Sequence, residues 1–334
     1  MRKILLSFAA VWLATGPAWA QPPCKHDISS SLAYLRERAP EGEWTFAVLG
    51  DSRNGMNVLA AELRRIKDFK PAFVINTGDI IGQSTAPEWE AACQTLAKAK
   101  GDTPFLPVAG NHETYGKGDG DGIGRFLEIF GNPASQATGT IDYTFEHGGA
   151  RFIMLDNSRD QVDGFTTEQL TWLERQLQNA PPLIFVTTHK PPATSKWRHA
   201  FWRNSAQFMQ LLEKYQVTAA LFGHIHLYDR LVRNGVNYFV TGGAGAPLYH
   251  WDGSTASGDP KLFEAKKGLK AHNLVLIKVS GKSANFQVYT DEAKLTRYKP
   301  QNSSDLKLDP ADFLLWDAGA LGTVIPKAAA KPAG

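Results

Sequence analysis

Between residues 45 and 290 the chain alternates short apolar runs with stretches whose apolar residues recur every three to four positions. The runs "TFAVLG", "AFVINTG", "FLPVAG", "RFIMLD", "LIFVTT", "AALFG" and "NYFVTGG" have the length and the β-branched and aromatic content of buried strands. Between them the spacing predicts helices over about 57–69, 87–100, 122–130, 167–178 and 203–215. The fourth opens on "TTEQ", where Thr166 and Gln169 fit a capping box, and "LTWLERQL" then carries a core face. "HNLVLIKVSGKSANFQVYT" reads as an antiparallel hairpin turned at Gly281. Strands alternating with helices predict an α/β fold with a mixed sheet, in one domain and without internal repeats.

Composition adds two constraints. A chain of 334 residues with 43% hydrophobic and 11% aromatic content can bury a real core, which excludes general disorder. "MRKILLSFAAVWLATGPAWA" has the charged start, apolar run and Ala18-Trp19-Ala20 site of a secretory signal, shorter than the roughly 18 apolar residues of a span. "QPPC" before Cys24 lacks the residues of a lipoprotein signal. The expected organisation is a signal peptide over 1–20, an arm over 21–43, the main domain over 44–300, and a C-terminal extension over 301–334. The extension ends in a small polar tail, "PKAAAKPAG", expected to be disordered.

Losing Arg2 and Lys3 leaves 34 basic against 33 acidic residues, a balance that asks for neither nucleic acid nor an anionic membrane. Export implies a periplasmic or secreted product. Cys24 and Cys93 both belong to the exported part, where a disulfide and two free thiols remain open.

The residues that follow the strands share a chemistry. Asp51 follows the first, Asp79 the second ("NTGD"), and Asn111-His112 the third ("AGNHE"). His189 follows the fifth ("VTTHKPP"), and His224 and His226 follow the sixth ("FGHIH"). Carboxyl ends of neighbouring strands converge on one crevice, so carboxylates, an amide and imidazoles would meet there. Glycines before most of them (Gly50, Gly78, Gly110, Gly223) would let the backbone turn sharply and approach closely. Without thiolates, such a set suits Zn, Mn or Fe, and two ions need about this many donors and a shared one. Each residue alone is unremarkable; an Asp after a strand is usually a turn or cap.

The series "GD", "NTGD", "GNHE", "THKPP", "GHIH" resembles the calcineurin-like metallophosphoesterases, which include the purple acid phosphatases. The resemblance covers about residues 45–290 and all five family blocks. It implies a sandwich of two mixed β-sheets flanked by helices. It further implies a dinuclear centre bridged by Asp79, with Asp51 and His226 on one metal and Asn111, His189 and His224 on the other. His112 would protonate or steady the leaving-group oxygen. A hydroxide made by the metals would then attack the phosphorus of a small phosphate ester without a covalent intermediate.

One position departs from the pattern. The family's first block is Asp-x-His, and purple acid phosphatases instead carry a tyrosine after the second-block "GD"; here Arg53 stands in the first place and Ile81-Gly82 follow Asp79-Ile80. A protonated guanidinium cannot ligate a metal. Arg53 either grips a substrate phosphate oxygen, which inclines the reading towards monoesters over diesters, or faces solvent or a nearby acid.

Rival readings are weaker. "GDS" resembles a GDSL-type serine hydrolase block with Ser52 as nucleophile, but none of the nine histidines has Asp three residues before it. A non-catalytic binder of phosphorylated ligands would have no use for His112. "KGDGDGIG" from Lys117 lacks an EF-hand pattern, and "TGGAGAP" from Thr241 lacks dinucleotide spacing but would bring backbone near the site. Tyr115, Trp197, Arg198, His199, Trp202, Tyr249, His250 and Trp251 are candidates for substrate walls or for packing. The ester itself, the metal and the oligomeric state are not legible.

Overall fold

The computed structural model describes residues 24–114, 122–131, 133, 141–159, 164–192, 202–249, 264–298 and 306–323. The signal segment, Tyr115, Trp197, Arg198, His199, His250, Trp251 and the tail from Pro326 lie outside these residues.

Two mixed sheets face each other. In the first, β1 (Trp44–Leu49), β2 (Val74–Asn76) and β3 (Phe105–Pro107) run parallel. β11 (Asn273–Ser280) and β12 (Ser283–Thr290) then form the expected hairpin and pair antiparallel beside β1. The second sheet is also mixed. Its parallel centre is β5 (Ala150–Leu155), β6 (Leu183–Thr188), β7 (Ala219–Phe222) and β9 (Val236–Thr241). Antiparallel strands flank it: β4 (Tyr143–His147), β8 (Tyr228–Arg233) and β10 (Glu264–Leu269).

Strand alternation explains the layering. On β5 and β6, Phe152, Met154 and Phe185 point into the core shared with the first sheet, where Phe46 and Phe73 stack at 5.3 Å and Phe152 and Phe185 at 5.2 Å. Each such buried phenylalanine contributes about 1.5–3 kcal/mol of transfer free energy. Their neighbours Ile153, Leu155, Ile184 and Val186 point the other way, onto a second core with Trp172, Leu173, Phe208 and Met209. Those residues belong to α6 (Thr167–Leu177) and α7 (Ser205–Lys214). The Thr166/Gln169 capping box forms as the sequence implies. α2 (Met56–Asp68) and α3 (Ala86–Ala99) pack beside each other in the core of the first sheet. The architecture is thus an α/β sandwich of two mixed sheets flanked by helices, as the resemblance implied.

Among the described residues, four strands and three helices had no legible pattern. β4, β8, β10 and β13 (Leu314–Thr323) are polar, charged or irregular in sequence; β4, β10 and β13 are sheet edges, defined by the neighbour they pair with. β13 lies in the expected C-terminal extension and pairs along β12. α1 (Ile28–Arg36), in the N-terminal arm, is capped by Asp27, whose carboxylate accepts from Ser30 N at 2.7 Å. It buries Ile28, Leu32 and Leu35 in the main core. The two remaining helices are α4 (Asn111–Thr114), a single turn, and α8 (Glu292–Tyr298), while α5 (Gly122–Phe130) matches its expected range. Cys24 and Cys93 form a disulfide that ties the arm to α3. Among the described residues no helix is long and apolar enough to cross a membrane.

Candidate metal centre

The parallel strands of both sheets end at one place. After β1, Asp51 adopts a left-handed conformation at φ 61° and donates its N–H to Gly78 O at 2.9 Å. After β2, Asp79 is left-handed at φ 54° with its N–H donated to Glu113, and after β7 His224 is left-handed at φ 69° with its N–H donated to Asp51. Non-glycine residues rarely hold such angles, and three clustered at one site mark a backbone bent for function. The sharp turns therefore fall mainly on the polar residues and not on the glycines before them; of those four only Gly78 has positive φ. Gly110 and Gly223 serve close approach, since a Cβ there would run into Asp79 Oδ1 and Asp51 Oδ2.

Two groups of potential ligands result: Asp79 with His189 and His224, and Asp51 with Asp79 and His226, each with its ligand atoms within 4.8 Å of one another. Asp79 is common to both. The imidazoles are oriented by backbone carbonyls. His189 Nδ1 lies 2.8 Å from Thr77 O, and His226 Nδ1 lies 2.9 Å from Pro247 O. A carbonyl only accepts, so Nδ1 carries the proton and the Nε2 lone pair faces inward. There His189 Nε2 meets Asn111 Oδ1 at 3.1 Å, Asp79 Oδ1 at 3.3 Å and His224 Nδ1 at 3.3 Å.

Electrostatics make this convergence informative. Burial lowers the pKa of His189, drives His224 well below the usual imidazole range with help from His189, and brings His226 to about 4. These rings are neutral at neutral pH and bring lone pairs, not charge. Burial and the neighbouring Asp79 push the Asp51 carboxyl well above its usual range. Among the described residues no Lys or Arg comes within ion-pairing distance of Asp51 or Asp79. Oxygen and imidazole acceptors aimed at each other over about 3 Å repel unless cations share them, so the donor set fits two metal ions of mixed oxygen and nitrogen preference.

The loops that carry the carboxylates are braced by a residue the sequence reading passed over. Glu113, fully buried, accepts from the N–H groups of Asp79 (2.8 Å), Ile80 (2.8 Å), Ile81 (3.1 Å) and Gly110 (2.8 Å). Burial and Asp79 push its pKa up to about 8, against the pull of those amides. The last letter of "GNHE" was its only signal. His224 N donates to both Asp51 oxygens, at 3.0 and 2.9 Å. Ser52 is equally structural: its buried hydroxyl donates to Ile80 O at 2.9 Å, which removes the serine-nucleophile reading.

His112 and Arg53 sit beside Asp79. His112 N donates to Asp79 Oδ1 at 3.0 Å, its Nδ1 contacts Gly82 O, and its Nε2 lies 3.7 Å from Asp79 Oδ2. Arg53 does not face solvent alone, and among the described residues it pairs with no acid: its Nη2 lies over the His112 ring, 2.6 Å from Nε2 and 3.3 Å from Nδ1. At the rim, the Tyr249 ring stacks on His226 at 4.3 Å, and the Trp202 ring meets His224 edge-on at 5.9 Å. Thr241–Pro247 does bring backbone to the site, with Ala246 N donating to Asp51 O at 2.8 Å.

A family model described as calcineurin-like phosphoesterase matches residues 45–228, more than half of the chain. Purple acid phosphatase 23 of Arabidopsis thaliana is 28% identical over 161 residues, 46% of this chain and 35% of that protein. A protein of Arcobacter nitrofigilis named "Probable glycerophosphodiester phosphodiesterase GpdQ" is 30% identical over 177 residues, 50% of this chain and 61% of that one. The chain thus spans about a third to three-fifths of the length of these curated relatives. The solved structure of purple acid phosphatase PPD1 from yellow lupin (Lupinus luteus) seeds shares the fold, with a TM-score of 0.61 at 16% identity over 84% of this chain and 55% of that one. With the family model matched over more than half of its length, and five strand ends converging on one place, the chain belongs to the calcineurin-like phosphoesterase family.

Proposed function

We propose that this chain is an exported, metal-dependent phosphoesterase that hydrolyses small phosphate esters, favouring monoesters over diesters. The observation that carries it is the convergence of two buried carboxylates, the Asn111 amide oxygen and three neutral imidazoles. In this reading Asp79 is shared by two ions, Asp51 and His226 complete one, and Asn111, His189 and His224 complete the other. When bound, two cations such as Mn, Zn or Fe supply charge that neutralises phosphoryl oxygens and acidifies water.

The chain's own contribution is placement. Glu113 and the His224 amide hold the two carboxylates, while Thr77 and Pro247 carbonyls hold two of the rings, so the donors need little reorganisation. His112, anchored at Gly82 and turned towards Asp79, is the chain's group for the leaving oxygen. Arg53 supports the monoester preference, because a permanent cation where the family has a neutral ligand suits a dianionic phosphoryl group. Export is supported by the N-terminal signal pattern and by a disulfide of the kind that persists in oxidising compartments.

A panel of mono- and diesters, nucleotides and phytate, run with Mn, Zn, Fe, Ca and Mg, tests the reading. Chelator-sensitive turnover with higher kcat/KM for p-nitrophenyl phosphate than for its bis-ester is expected. Turnover indifferent to chelator would sink the reading. Metal binding without turnover of any ester would make the protein a metal-dependent binder of phosphorylated ligands instead.

A further inference from the structure

Arg53 is placed as no ordinary structural arginine is. Its backbone is pinned two residues after Asp51, with φ 45° and its N–H donating to Asp79 O at 3.1 Å. Its guanidinium has no carboxylate within ion-pairing distance among the described residues, and the partner it does have is the His112 ring, at 2.6 Å from Nη2 to Nε2. The same Nη2 also lies 3.3 Å from His112 Nδ1, and one atom comes that close to both ring nitrogens only from over the ring face, so the guanidinium covers the imidazole while Gly82 O holds Nδ1. A rigid fork of five donors is therefore laid against one ring, whose Nε2 lies 3.7 Å from Asp79 Oδ2.

We propose that Arg53 is a phosphoryl-binding residue held in reserve by His112. In the free protein the guanidinium rests on the His112 ring; when a phosphoryl group enters, it transfers to a non-bridging oxygen, and the same movement uncovers the ring. A phosphoryl dianion offers the planar fork a charged, bidentate acceptor, which the ring does not, so the exchange favours the substrate. Only side-chain rotation is required, because the backbone is already fixed. The occupant is a phosphoryl dianion, either of a monoester or of inorganic phosphate; a diester has one free oxygen fewer and answers the fork less well. This inference rests on the phosphoesterase reading and deepens it.

The exchange makes the two residues energetically coupled in a direction that simple packing would not produce. Inorganic phosphate is titrated calorimetrically into metal-loaded wild type, Arg53→Ala, Arg53→Lys, His112→Ala and the Arg53→Ala/His112→Ala double variant, with metal content measured in each. Arg53→Ala is expected to weaken phosphate at least tenfold at unchanged metal occupancy, with Arg53→Lys in between. His112→Ala is expected to tighten phosphate several-fold when Arg53 is present, because the resting partner is gone, and to change nothing when Arg53 is absent. In kinetics, Arg53→Ala should raise KM for p-nitrophenyl phosphate more than for the bis-ester. Equal phosphate affinity in wild type and Arg53→Ala, or a His112→Ala effect identical in both backgrounds, overturns the proposal. If Arg53→Ala fails to load metal, Arg53→Met carries the same test. A metal-loaded wild type that neither binds phosphate nor hydrolyses any ester fails the phosphoesterase reading itself, whereas turnover with an indifferent Arg53 fails only this inference.

Discussion

The two sheets equip their halves of the centre differently. The first sheet delivers carboxylates and an amide on loops with left-handed bends at Asp51 and Asp79, and Glu113 ties four amides of those loops into one buried carboxylate. The second sheet delivers imidazoles, of which His189 and His226 are each held by one carbonyl and His224 and His226 by an aromatic neighbour. Charge explains the difference. Buried carboxylates must be prevented from moving apart, whereas neutral rings need only be turned the right way. The first half is therefore the braced one, and damage to it should spread further.

The largest effect is expected at the residue both halves share. Asp79→Asn should lower turnover at least about 1,000-fold and reduce metal content, read by kinetics and metal analysis; substantial residual turnover at full occupancy would falsify the shared-ligand assignment. Glu113→Gln comes next. It presents an amide donor to backbone donors, should cost about 2–4 kcal/mol of stability with a matching fall in Tm, and should lower metal affinity. Retention of wild-type Tm would show that the brace is dispensable. On the imidazole side, Tyr249→Leu removes a stacked ring worth roughly 0.5–1.5 kcal/mol. It should leave Tm nearly unchanged while weakening one of the two metals about tenfold or more. A Tm fall as large as that of Glu113→Gln would erase the contrast between the halves.

Acidity sharpens the same contrast. In metal-free protein the lowered pKa of His189, His224 and His226 (His226 at about 4) means that the unfolded chain takes up protons first, so stability is lost as pH falls below about 6.5. The raised carboxyl of Asp51 acts oppositely, its contribution being lost as pH rises above about 4. Tm against pH for chelated His226→Asn should be flatter on the acid side than for chelated wild type, and metal loading should suppress the difference; parallel curves would contradict it. The smallest effect concerns Glu62, buried on α2 beyond the centre, which burial and Asp291 push well above the carboxylate range. Its destabilisation grows as pH rises above about 4.5, so Glu62→Gln should flatten the alkaline side of the Tm curve without altering kcat.

Much of this was legible along the chain. β1, β5 and β6 announced themselves because buried strands need unbroken apolar runs, the hairpin of β11 and β12 through its turn at Gly281, and α6 through a capping box that depends on residues three apart. All six proposed metal-binding residues follow strands, so the donor set was readable before its geometry. Edge strands such as β10 and β13 were not, because they are defined by a partner strand and not by their own pattern. Glu113 was hidden for a similar reason: its acceptor role is defined against amides as far as 34 positions away.

What residue order alone settled is chemical: which oxygen- and imidazole-bearing side chains exist, which strand each follows, and that position 53 holds an arginine. What three-dimensional packing settled is relational. It gave Asp79 to both ligand groups, closed the Cys24–Cys93 bridge, turned Ser52 into a backbone anchor and set Arg53 against His112. Periodicity reports burial, a property each residue carries on its own. A hydrogen bond between His224 and Asp51, 173 positions apart, exists only once two sheets have been pressed face to face.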